Sequence, residues 1–82
     1  MTGTERLQAE WEGLQLVVEE MPEYFCAFVY DPGECEVIYT AERMSAESAK
    51  IAAVEFAATT LFGAHNDLCP EVVAAMLVWE RT

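Results

Sequence analysis

The segment His65-Asn66-Asp67-Leu68-Cys69 carries the chain's one histidine and one of its three cysteines. Together with Cys26 and Cys35 it supplies the donor set of a Cys3His zinc site. The interval argues against that use, because structural zinc sites place about two to four residues between paired cysteines, whereas eight lie between Cys26 and Cys35. A period-two strand reading also sets both cysteines on a core face, where a free thiol packs as a small hydrophobe. As nucleophile and base, Cys69 and His65 would need Asp67 or Asn66 to orient the imidazole. Side chains this close on one loop do not converge on one substrate atom, so a polar loop with a helix-capping His65 is the simpler reading. Glu19 and Glu20 are adjacent and diverge around a helix, which leaves no acid–base pair. Gly3, Gly13, Gly33 and Gly63 are dispersed, so no phosphate-binding loop is present. The chain is expected to lack catalytic residues, cofactor and metal, and to act through a surface and not as an enzyme.

The strongest surface signal is acidic. Fifteen Asp and Glu against four Lys and Arg give a net charge of −11. Residues 1–36 hold nine acids against Arg6, a net of −8, while residues 37–82 hold six against Arg43, Lys50 and Arg81, a net of −3. Such a field repels phosphate and anionic lipid and steers basic partners, so neither nucleic acid nor membrane is an expected direct partner. The same charge also serves solubility. The candidate partner-binding residues are Glu5, Glu12, Glu19, Glu20 and Glu23 on a first helix, with Asp31, Glu34 and Glu36 around the turn that follows. The six acids between Glu5 and Glu23 would spread along about 27 Å of helix, or about one per 4.5 Å. Duplex DNA carries about one charge per 1.7 Å, so full mimicry is not expected. Partial filling of a basic nucleic-acid channel needs only complementary charge at several points.

The elements that must position these residues follow from periodicity. Leu7, Trp11, Leu14, Val18 and Met21 recur at steps of four and three, the stripe of an amphipathic helix. Thr2 and Glu5 stand at capping-box spacing, with Thr4 as an alternative cap. Glu5, Glu12 and Glu19 fall on another face. Gly13 weakens this helix by about 1 kcal/mol relative to Ala, and Pro22 ends it. Tyr24 to Thr40 then reads as a hairpin. Tyr24, Cys26, Phe28 and Tyr30 share one side of its first strand, and Cys35, Val37, Tyr39 and Ala41 face the core from its second. Asp31-Pro32-Gly33-Glu34 forms a loop slightly longer than two residues, since a Pro-Gly turn matches hairpin twist poorly.

Ser45 caps a second helix, Ala46 to Phe62, that Gly63 stops. Its small residues Ala49, Ala52, Ala53 and Ala57 allow close packing. Glu71 to Trp79 is apolar almost throughout, which suits either a buried strand or a helix. A third strand near Val72 to Glu80 is favoured, because two strands alone make a marginal sheet; Pro70-Glu71 is the sign of the helical alternative. Trp11 is expected in the core, and Trp79 in the core or at a partner contact. The expected fold is a small α+β domain in the order α-β-β-α-β, or α-β-β-α-α if the last segment is helical.

At 82 residues and 54% hydrophobic composition the chain is expected to form a single domain, residues 1–82. It has no basic leader before an apolar run and no stretch long enough to span a membrane. Three cysteines without framework spacing suit a reducing compartment, so a cytoplasmic location is expected. The junction Tyr39-Thr40-Ala41-Glu42-Arg43-Met44-Ser45-Ala46-Glu47-Ser48-Ala49-Lys50 is similar to junctions in several small phage proteins. With its size and acidity, the chain resembles the class of phage-encoded inhibitors that includes anti-CRISPR proteins and DNA-mimic blockers of host nucleases. That resemblance implies a non-enzymatic inhibitor that blocks the basic, nucleic-acid-contacting surface of a host complex such as a CRISPR effector. The class shares no common motif, so the residues named above rest on charge pattern alone. A structural or adaptor subunit that pairs with its own copies through Trp79 and the Ala-rich helix is the alternative. A small metal-binding or enzymatic protein is the third.

Overall fold

Leu7, Ala9 and Trp11 alternate with other residues, and after Glu12-Gly13 the alternation resumes one position out of phase at Leu14, Leu16 and Val18. A two-residue turn produces that phase change, because it reverses the chain and sets the residues on its two sides opposite one another. In a computed structural model, which describes residues 5–82, Arg6–Trp11 and Leu14–Glu20 are strands β1 and β2, paired antiparallel with Trp11 opposite Leu14. Glu12 and Gly13 between them have φ of 52° and 86°, the positive pair that defines a type I′ hairpin turn. The expected first helix is therefore a β-hairpin. The same residues satisfied helical spacing because steps of four within each strand keep parity, while the step of three from Trp11 to Leu14 crosses the turn. The expected cap at Thr2 or Thr4 lies outside the described residues.

The second hairpin stands where the sequence reading puts it, as β3 (Phe25–Asp31) and β4 (Glu36–Arg43). Its loop, Pro32 to Cys35, is held by Gly33 N–H donating to Asp31 Oδ1 at 2.9 Å and Glu34 N–H donating to the Asp31 carbonyl at 3.2 Å. The facing of β3 and of Val37 is inverted relative to expectation, while Tyr39 faces the core as expected. Ala27 and Val29 enter the main core, whereas Cys26 and Phe28 pair across the sheet with Glu19 and Val17 on the opposite face. A bulge between Val29 and Tyr30 sets Val37 opposite Tyr30 and Tyr39 opposite Val29. Val37 is thus 51% exposed on the open face, while Tyr39 and Ile38 pack against the core. Cys35 leaves the strand for the loop, where it is exposed and adopts φ 56°.

Helix α1 (Ala46–Phe62) has the expected bounds, with Ser45 Oγ accepting from Ser48 N–H and Gly63 at its C-terminus. Its Ala49, Ala53 and Ala57 are fully buried, so no long side chain separates the helix from β2, β3 and β4 beneath it. Leu14, Leu16 and Val18 meet Ala27, Val29 and Val54 there, and Tyr39 stacks on Phe56 with ring centroids 4.3 Å apart. Among the described residues no helix is long and apolar enough to cross a membrane.

The expected third strand near Val72 to Glu80 is mostly a helix. Pro70–Met76 forms α2, with Pro70 in its first turn, and only Glu80–Arg81 is strand, β5. With four strands already paired in sequence order, the sheet does not need a crossover strand. Instead β5 adds to the outer side of β1, with Leu7 opposite Arg81, to give the antiparallel order β4-β3-β2-β1-β5. The element order is β-β-β-β-α-α-β, so the α+β class holds while the arrangement expected from sequence does not.

Candidate interaction surface

The meander sorts the acidic residues to its two ends. The β1–β2 and β3–β4 turns lie at one end, here the turn end, and the β2–β3 connection lies at the other. Glu12, Asp31, Glu34 and Glu36 belong to the turn end. Glu5, Glu19, Glu20 and Glu23 belong to the opposite end, about 20 Å away along strands of this length. No acidic helix face joins the two groups, because the segment that was to form it is a hairpin.

The basic residues divide the ends further. Arg6 opens β1, Arg43 closes β4, Lys50 sits in the second turn of α1, and Arg81 pairs beside Leu7. All of the chain's Lys and Arg therefore lie in the half away from the turns. Glu5 is bridged there by Arg81 at 2.6 Å, and Glu19 stands directly across from Arg6. Among the described residues Glu12, Asp31, Glu34 and Glu36 form no ion pair, and Asp67, between the helices, joins them beside Glu12 in a shared groove. Mixed charge at one end and acids without Lys or Arg at the other make the turn end the place where a basic surface is attracted more strongly.

The groove is the second feature of this end. It is open, about 580 Å³ in volume, and runs between the end of α1, the connection to α2, and the β1–β2 turn. Trp11 meets Phe62 edge-on at 6.0 Å and forms one wall. Phe62 is 52% exposed, Val72 54% and Met76 75%. Val72 and Met76 share a face of α2 by their spacing of four. The favoured strand reading of this segment hides the wall, whereas the helical alternative signalled by Pro70-Glu71 exposes it. Asn66 shapes the connection, its Nδ2 donating to the Gly63 carbonyl at 2.7 Å and its Oδ1 accepting from Leu68 N–H at 3.0 Å. Glu71, in the first turn of α2, accepts from the Cys69 thiol at 3.3 Å. Its own backbone N–H and that thiol hold its carboxyl below the ordinary range.

The three cysteines are not brought together. Cys26 is buried on the open face of the sheet, Cys35 lies in the β3–β4 loop, and Cys69 precedes α2. Among the described residues no group of three or more His, Cys, Asp or Glu is placed to hold a metal ion. Burial, then the nearby Glu42 and Glu19 carboxylates, push the Cys26 thiol pKa up. The Ala-rich face of α1 is occupied within the fold. Trp79 is occupied as well: its Nε1–H donates to the Ala74 carbonyl at 2.9 Å and its ring lies 5.5 Å from Lys50 Nζ. No protein-family model, curated protein or solved structure matches the chain.

Proposed function

We propose that the protein is a non-enzymatic binding module whose acidic turn end occupies a basic, nucleic-acid-contacting surface of a larger complex, as an inhibitor of a CRISPR effector would. The observation that carries the reading is the segregation of charge: Glu12, Asp31, Glu34 and Glu36 gather at an end from which every Lys and Arg is absent. Charge arranged this way speeds encounter with a cationic surface and fixes orientation on it, while apolar contacts nearby supply affinity. The opposite end, where acids alternate with Arg6, Arg43 and Arg81, offers no comparable field.

The test is competition against DNA for a purified CRISPR effector, followed by fluorescence anisotropy of the labelled DNA. The protein should displace DNA, and displacement should weaken steeply as salt rises. Reversing Glu12, Glu34 and Glu36 to Lys should abolish it, whereas reversing Glu19, Glu20 and Glu23 should reduce it far less. Asp31 is left intact because it holds the turn through Gly33. A salt-insensitive complex unaffected by the first triple change would refute the proposal.

A further inference from the structure

The groove beside the acidic end combines two properties that together restrict what can fill it. Its walls are apolar and exposed, built from Phe62, Leu68, Val72 and Met76. Its rim is anionic, with Glu12 and Asp67 lining it. A second copy would bring the same rim and the same net charge of −11 against it, and an anionic lipid surface would be repelled in the same way. The walls are side chains from two helices and a turn, so an added strand would find few backbone groups to pair with, whereas a helix can place anchors at i, i+3, i+4 and i+7 into such walls.

We propose that this groove docks a cationic amphipathic helix of the partner, with aliphatic anchors between Val72, Met76 and Phe62 and flanking Lys or Arg beside Glu12 and Asp67. This rests on the reading that the turn end receives a basic partner, and it names the part of the partner that the apolar wall holds. Charge brings the helix to this end, and burial of its anchors gives preference over a peptide of equal charge.

Three fluorescein-labelled peptides of about four helical turns separate the two contributions by anisotropy with the full chain: an amphipathic Lys/Leu peptide, a Lys/Ser peptide of identical charge, and a Glu/Leu peptide. The Lys/Leu peptide should bind on the order of tenfold more tightly than Lys/Ser, the factor expected from burying about one aliphatic side chain. Glu/Leu should not bind. The double variant V72S/M76S changes only exposed positions and keeps the charge; it should remove the Lys/Leu advantage and leave Lys/Ser binding unchanged. Equal binding of Lys/Leu and Lys/Ser would overturn the groove assignment while leaving the acidic end intact. Failure of both cationic peptides would overturn the assignment and the proposed function together. Glu/Leu binding as tight as Lys/Leu would overturn the cationic choice of occupant. A dimer seen by light scattering and lost in V72S/M76S would assign the groove to a second copy instead.

Discussion

Gly13→Ala separates the hairpin from the helix by the sign of its effect. In a helix interior, replacing Gly by Ala stabilises the fold by about 1 kcal/mol. In the β1–β2 turn Gly13 has φ 86°, and a Cβ added there would meet nothing within 4 Å. The cost is therefore one of backbone conformation with no steric clash added. Holding Ala left-handed costs about 1–2 kcal/mol, against which the stiffer unfolded chain returns about 0.4–1 kcal/mol. The net is a loss of about 1 kcal/mol, and for a domain of this size that lowers the melting temperature by about 4–8 °C. Urea denaturation followed by far-UV circular dichroism measures it, with thermal melts as the second readout. The free energy should fall with an unchanged denaturant slope, since the substitution alters a turn and not the surface exposed on unfolding. A Gly13→Ala protein as stable as the parent, or more stable, would refute the turn and restore the helix.

Two further outcomes follow from the core and the thiols. Leu16, fully buried at the centre of β2, should cost about 2–5 kcal/mol when changed to Ala, enough to unfold much of so small a domain; a loss under 1 kcal/mol in the same denaturation assay would show that α1 does not pack there. Iodoacetamide labelling followed by mass spectrometry should modify Cys35 and Cys69 well before Cys26, and Cys26 should react appreciably only as pH rises beyond the ordinary thiol range, because its raised pKa keeps it protonated. The linked stability has the matching sign: the native state holds this proton more tightly than the unfolded chain, so stability falls as pH climbs from the unfolded thiol pKa towards the raised one. Equal labelling of the three cysteines at neutral pH would contradict the placement of Cys26.

Local chemistry determined much of this protein. Ser45 and Gly63 bound α1 because a hydroxyl cap and a glycine stop act through neighbouring backbone groups. The Asp31-Pro32-Gly33 loop is likewise legible, its turn preferences being properties of those residues. Net acidity was also in the composition. What the tertiary structure decided is which of two valid periods the segment Leu7 to Val18 follows, which face of β3 is covered, and whether Val72 to Met76 is strand or helix. Each depends on a partner distant in sequence: β1 is fixed by pairing with β2 and β5, β3 by its register against β2, which sets Ala27 opposite Val18 and Val29 opposite Leu16, and α2 by its seat against α1. The candidate surface inherits that dependence. Glu12 and Asp31 stand at the same end only because two hairpins are joined side by side, and Asp67 reaches them only because α1 runs the length of the sheet before it. Sequence fixes the number of charges on the chain, whereas their segregation from Lys and Arg comes from strand pairing, which places residues by register and not by order along the chain.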